Sequence, residues 1–248
     1  MKKRKRSTVF SIIVFIVVSN FLACQTGEKE SDDEFADEHA FYRDLEEIKK
    51  DGILRVLTTY SGTSYFLYRG QPMGFEYELL KRFADHLGIE LDIQISKNLD
   101  SLLYQLNRGD VDLVAHGLTI TTERKQKVDF TDYLYLTHQV LVQKKPDNWR
   151  KMRWSSIERE LVNDAIELIG DTVSVRQNSS YIHRLDNLSK EIGGKIIIDT
   201  LPGYLSTDEI IKLVVDGKIK YTVADNNIAN INASYYPVLN IEVPVSFS

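Results

Sequence analysis

Cysteine is almost missing from this chain: Cys24 is the only one, so no intramolecular disulfide can staple the fold. An excess of positive charge is missing too. Lys and Arg number 31 against 36 Asp and Glu, a net charge of −5, which argues against a nucleic-acid partner, because phosphate binding needs a basic face. The chain also lacks HExxH, CxxC, P-loop, GxGxxG and GxSxG patterns, so no metal, cofactor or catalytic residue is expected. None of its carboxylates stands in a recognisable glycosidase setting. What is there is ordinary for a globular protein: 43% hydrophobic and 27% charged residues in 248, enough for one large or two small domains.

The first 23 residues read as a targeting segment. "KKRKR" (2–6) is a positive start, and the apolar "VFSIIVFIVV" (9–18) is too short for a comfortable membrane span. "FLAC" follows and ends in Cys24, a placement that resembles a bacterial lipobox, in which the thiol is lipidated. Three fates are compatible with this leader: lipidation at Cys24, an uncleaved signal anchor, or soluble secretion. The cysteine favours the first. Of the 31 basic residues, five lie at 2–6; without them 26 face 36 acids, a net charge of −10. Residues 24–40 contain seven acids and one lysine and read as a solvated tether.

From residue 51 strand-like and helix-like patterns alternate. "ILRVLTT" (53–59), "IELDIQI" (89–95) and "DVDLVA" (110–115) read as strands; "FEYELLKRFADHLG" (75–88) and "LDSLLYQLNRG" (99–109) are amphipathic helices stopped by glycine. After "HQVLVQKK" (138–145) the alternation restarts: strands at 171–177, 195–200 and 218–224, helices at 179–193 and 208–217. This predicts an α/β protein of two lobes, residues 41–142 and 143–248, each a mostly parallel sheet flanked by helices. The halves rhyme, since 102–115 and 210–223 each give helix, glycine and strand, with Gly109 matching Gly217.

Two such lobes bind ligands in the crevice at their strand ends. The first offers "HGLTITTER" (116–124), with Gly117, Thr119, Thr121 and Arg124; the second offers Asp225, with Ser179 and Ser180 at a helix start. A guanidinium grips a carboxylate with two parallel hydrogen bonds. Hydroxyls and free helix-start amides add donors, and Asp225 suits an ammonium group. Together they predict a site for an amino acid or a peptide end, with Tyr60 or Tyr65 stacking on it. Plainer roles compete: Ser179, Ser180 and Asp225 as helix caps, Tyr65 as core, Arg124 as part of a solvated face, His116 as structural.

"GLTITTERKQKVDFTDYLY" (117–135) resembles the signature of family 3 periplasmic solute-binding proteins. That resemblance implies a type II two-lobe binding fold, with Thr119 and Arg124 on the ligand carboxylate and Asp225 on its ammonium. "SVRQNSSY" (174–181) is similar to the family's V-x-x-G-[ST]-[ST] turn, with Asn178 where glycine is usual. "GFEYELLKRFADHLGIELDI" (74–93) and "GKIKYTVADN" (217–226) resemble the N-terminal domain of the membrane-bound lytic murein transglycosylase F family. There a binding module precedes a lysozyme-like domain and senses cell-wall peptides or amino acids.

Both families carry a return of the chain to the first lobe, and "IEVPVSFS" (241–248) falls about where that return begins. The first lobe is therefore expected to lack its last elements, and a catalytic domain would lie beyond residue 248. Three functions follow as expectations: the regulatory module of a murein transglycosylase, a free-standing amino-acid receptor of a transporter, or a dehydratase-like enzyme on the same fold. The first implies an envelope lipoprotein facing the periplasm, in the outer membrane, with a small-molecule ligand, a membrane contact through its lipid and contact with peptidoglycan.

Overall fold

The structure, a computed structural model, describes residues 43–246. The signal segment, Cys24 and the acidic tether lie outside the described residues.

The first lobe is built on β1 (Ile53–Thr59), flanked by β4 (Glu90–Ser96) and β5 (Leu113–Ala115) in the order β4-β1-β5, all parallel. Helix α1 (Leu45–Asp51) leads into it, α2 (Phe75–Leu87) precedes β4, and α3 (Asp100–Asn107) precedes β5. Alternation along β1 divides the core. Leu54 and Val56 pack with Ile48 of α1 and Leu80 of α2, whereas Leu57 packs with Leu102 of α3, as a period of two requires. Between β1 and α2, where the sequence pattern predicts a loop, the chain makes a hairpin, β2 (Phe66–Tyr68) with β3 (Gln71–Met73). Arg69 and Gly70 turn it with positive φ.

A buried ion pair ties the start of the described chain to this sheet. Arg43 Nη1 donates to both oxygens of Asp112 at 2.7 and 2.8 Å, and Asp112 Oδ2 also accepts from Arg55 N at 2.8 Å. Asp112's side chain is 3% exposed, so removing its partner strands a buried charge. Arg43→Ala is expected to cost about 3 kcal/mol, read by urea denaturation; a loss under about 1 kcal/mol would mean that solvent already screens the pair.

The second lobe contains β6 (Gln139–Lys144), β7 (Thr172–Arg176), β8 (Ile197–Leu201), β9 (Tyr221–Asp225) and β10 (Leu239–Asn240). β7 and β8 run parallel, while β6 runs antiparallel to both β9 and β10. This lobe is thus mixed rather than mostly parallel. The whole of β6 pairs within the second-lobe sheet. β6 is buried on both faces: Val140 and Val142 pack under Ile211 and Val214, and Leu141 joins Val173, Val175 and Leu185. The short helix α4 (Thr122–Lys125) lies between β5 and β6, and α5 (Trp154–Glu158) follows β6. Helices α6 (Ser180–Glu191), α7 (Thr207–Val215) and α8 (Asn226–Tyr235) complete the lobe.

The sequence rhyme has a structural counterpart. α3 ends at Gly109 (φ +76°) before β5, and α7 at Gly217 (φ +71°) before β9. Left-handed φ suits glycine, and each turn sends a buried strand toward the same cleft.

Candidate functional site

Four strands end at one crevice. β1 delivers Thr59, Tyr60 and Ser61; β5 delivers His116 and Gly117; β7 ends on Arg176; β9 ends on Asp225. The start of α7 adds Asp208. The enclosed space is small, about 40 Å³, little more than one water occupies in the liquid.

Hydrogen bonds among the described residues cross it. Gly62 N donates to Asp208 Oδ2 at 3.2 Å, and the hydroxyls of Thr119 and Ser180 lie 3.1 Å apart. Asp208 is itself positioned by Asn232 Nδ2, which donates to Oδ1 at 2.6 Å. Asp208→Ala removes an acceptor from both lobes. It is expected to shift the protein toward an open form, seen as a larger radius of gyration in X-ray scattering without ligand. An unchanged radius would make this bond incidental.

On the first-lobe side, Thr119 is exposed, and its carbonyl accepts from Arg124 Nη1 at 2.9 Å. Thr121 is the N-cap of α4, its hydroxyl accepting from Arg124 N at 3.2 Å. The run "TITTER" thus folds back so that one threonine caps the turn carrying Arg124 and another orients its guanidinium. Gly117 faces the cleft, where a Cβ would lie 3.1 Å from Tyr135 Oη and 3.6 Å from Glu76 Oε1, so a side chain there would crowd the floor.

From the second lobe, Ser179 is the buried N-cap of α6, but its hydroxyl donates to Arg176 O at 2.7 Å instead of capping. Ser180 is the residue that reaches across to Thr119. Asn178 has φ +57°, the left-handed conformation that asparagine tolerates among non-glycine residues, which explains how it replaces glycine in this turn. Asp225 is the N-cap of α8, yet its carboxylate makes no capping bond. Burial raises its pKa, opposed by a hydrogen bond from Tyr181. A desolvated carboxylate of this kind gains from an incoming cation.

The tyrosines are not placed alike. Tyr60 lines the cleft. Tyr65 meets Tyr60 and Tyr77 edge-on, each at 5.6 Å between ring centres, and faces a different hollow beside Pro72 and Lys81. Pattern reading could not separate them, because the loop's path, not its composition, decides which ring turns inward. Arg176 and Asp208 were also missed. Arg176 stands within the "SVRQNSSY" turn but its side chain carries no signal of its own there, and the two converge only through the crossing of the chain.

His116 lies under the cleft with Thr59 Oγ1 at 3.0 Å and Ser64 Oγ at 3.3 Å from its Nδ1. Burial, reinforced by the charges of Arg176 and Arg124, lowers its pKa to about 3. The unfolded imidazole protonates near pH 6.5, the folded one only near 3. Its contribution is therefore complete above about pH 6.5 and is lost as the pH falls toward 3. A His116→Gln variant is expected to show a shallower fall in Tm between pH 6.5 and 4 than the parent. Parallel curves would mean that other groups set the acid limit.

A model of the bacterial extracellular solute-binding proteins, family 3, matches residues 53–237. The chain belongs to that family. Its curated relatives include membrane-bound lytic murein transglycosylase F of Desulfosudis oleivorans, 35% identical over 211 residues, which covers 85% of this chain and 43% of the relative. The same-named protein of Pseudomonas fluorescens is 34% identical over 200 residues, 79% of this chain and 38% of the relative. The chain thus spans about two fifths of the length of these relatives. Among solved structures, an ancestral arginine-binding protein bound to arginine superposes with a TM-score of 0.64 at 26% identity, over 79% of this chain and 80% of that one. An ancestral amino-acid-binding protein described as a precursor of cyclohexadienyl dehydratase gives 0.61 at 28% identity, over 79% and 80%. The fold is therefore the type II two-lobe binding fold.

Proposed function

We propose that this family 3 chain is an envelope-located binding module that closes over an amino acid or a peptidoglycan-derived peptide, as the regulatory part of a lytic murein transglycosylase. The observation that carries the reading is the meeting of Thr119 and Ser180, 3.1 Å apart across the cleft. On the first lobe Arg124 Nη1 donates to Thr119 O at 2.9 Å, and on the second Asp225, whose carboxylate makes no capping bond, lines the crevice. Arg124 and Thr119 take the ligand carboxylate, the free amides at the start of α6 add donors, and Asp225 takes the ammonium. Each lobe then holds one end of the ligand, so the closed form is favoured by the differential affinity of the ligand for it. Thr121 supports the site through its cap, and Gly117 keeps the floor open. Three or four charge-assisted bonds at roughly 1.5–3 kcal/mol each suit micromolar affinity after ordering costs. Lipidation at Cys24 would anchor the module, with residues 24–40 as its tether.

Calorimetry of the purified domain against free amino acids and soluble stem peptides tests this. Binding of either at micromolar concentration is expected, and a flat response to both would overturn it. A second reading, a free-standing amino-acid receptor, draws on the arginine-bound neighbour; it expects tight binding of one free amino acid and none of stem peptides.

A further inference from the structure

We infer that the far end of the second lobe is a membrane-docking face, where Trp154 enters the interface of a bilayer and Arg150, Lys151 and Arg153 meet the phosphates of its anionic lipids. This rests on the envelope location in the reading above and not on its ligand. The stretch 144–154, "KKPDNWRKMRW", holds five of the chain's 31 basic residues and one of its 36 acids, together with both tryptophans. It is also held in place. The buried Gln143 side chain donates to Val162 O at 2.7 Å and accepts from Val162 N at 3.0 Å, so the excursion is clamped where it leaves and where it returns. Within it Trp149–Lys151 forms a 3-10 turn, and α5 starts at Trp154 and buries Ile157. β6 begins opposite Asp225 at the cleft and ends at Lys144, roughly 17 Å away at about 3.3 Å per residue. The face is therefore remote from the crevice.

Its cations divide into two sets. Lys144 is paired with Asp147 at 2.7 Å, and Lys145 Nζ donates to Pro237 O at 2.9 Å. Lys145 and Arg150 lie over the ring of Trp149, 4.8 and 4.9 Å from its centre, and fix that half-buried indole as a scaffold. Arg150, Lys151 and Arg153 are exposed and enter no ion pair among the described residues. Beside them Trp154 is 47% exposed. The turn after α8 joins the platform through Pro237, two residues beyond Tyr235, which is 76% exposed. Exposed rings among unpaired cations match the layers of a bilayer surface, because amphipathic rings favour the headgroup level and cations gain from anionic lipid. Asp147, the one acid of the stretch, is already neutralised by Lys144. Phosphates alone would satisfy the cations, whereas Trp154 gains from the apolar layer beneath them. Two of the three fates open to the leader, an anchor and lipidation, bring the chain to such a surface.

Trp149 and Trp154 are the only tryptophans in the chain, so intrinsic fluorescence reports this face even in the full chain with its leader. The full chain is reconstituted with vesicles of phosphatidylcholine, or of equal parts phosphatidylcholine and phosphatidylglycerol. Each is also made with brominated acyl chains, which quench a tryptophan that enters the interface. An unpaired cation near an anionic surface is worth about fivefold. Three of them should raise the docked-to-free ratio about a hundredfold on the mixed vesicles, an excess that high salt removes. A triple variant, Arg150→Gln with Lys151→Gln and Arg153→Gln, should lose most of it. If that variant does not fold, Lys151→Gln with Arg153→Gln leaves Arg150 on Trp149 and should lose about 25-fold. Equal quenching on both kinds of vesicle, or none on either, would overturn the inference. Quenching that persists undiminished in the folded variants would overturn the assignment to these cations. A blue-shifted emission on purified peptidoglycan, with none on vesicles, would also overturn it and name a cell-wall glycan as the partner. Ligand binding at the cleft is read separately by calorimetry, so each of these failures leaves the binding-module reading standing.

Discussion

Arg124→Ala is expected to weaken ligand binding by about a hundredfold or more while leaving the melting temperature nearly unchanged. Two charge-assisted hydrogen bonds of roughly 1.5–3 kcal/mol each go with the guanidinium, and each 1.4 kcal/mol is about tenfold in affinity. The fold should survive because the turn that carries Arg124 is capped through its backbone: Thr121 Oγ1 accepts from Arg124 N, which alanine retains. One bond of the side chain, from Nη1 to Thr119 O, is exposed to solvent. Arg124→Lys should recover only part of the loss, since an ammonium keeps the charge but not the two-pronged geometry. Calorimetry with the tightest-binding free amino acid or stem peptide decides the matter. An alanine variant that binds like the parent would remove Arg124 from the site.

Gly74→Ala should be the most damaging small substitution in the first lobe. Gly74 has φ +141°, and an added Cβ would lie 2.2 Å from the carbonyl oxygen of Ser64 and 2.6 Å from its carbon. Both are backbone atoms, so no rotamer change relieves the clash. The same carbonyls of Thr63 and Ser64 accept from Phe75 N at 2.7 Å and Tyr77 N at 3.2 Å, and these bonds close the start of α2. Pushing the 61–65 loop away breaks them and disturbs the cleft wall that carries Tyr60 and Ser61. A loss of about 3 kcal/mol or more is expected, lowering Tm by roughly 6–12 °C for a chain of this size. Gly70→Ala is the control. Its φ is +78°, but a Cβ there meets nothing within 4 Å, so only the conformational cost of about 1 kcal/mol remains. Equal melting temperatures for the two variants would show that the loop moves freely and that the close approach is not structural.

Local physics decided much of this protein before any tertiary contact. Apolar spacing and terminal glycines placed α2, α6, α7 and the strands β1, β4, β6, β7 and β8 close to their observed bounds, with β5 and β9 starting later than read, because amphipathic periods and left-handed stops are properties of neighbouring residues. The hydroxyl and arginine run after β5 was legible for the same reason, since its cap and its fold-back span only five positions. Tertiary structure decided the rest. β6 follows the first lobe in sequence but pairs with β9 and β10, and a strand's pattern does not name its partner. Tyr60 rather than Tyr65 faces the cleft, through the path of a loop closed on Gly74. Arg176 and Asp208 enter the site from elements far beyond Gly117 in the chain, and Asp208 meets a first-lobe amide 146 positions away. Convergence of that kind is set by how two lobes dock, which depends on the summed burial of many side chains and on no single stretch of sequence.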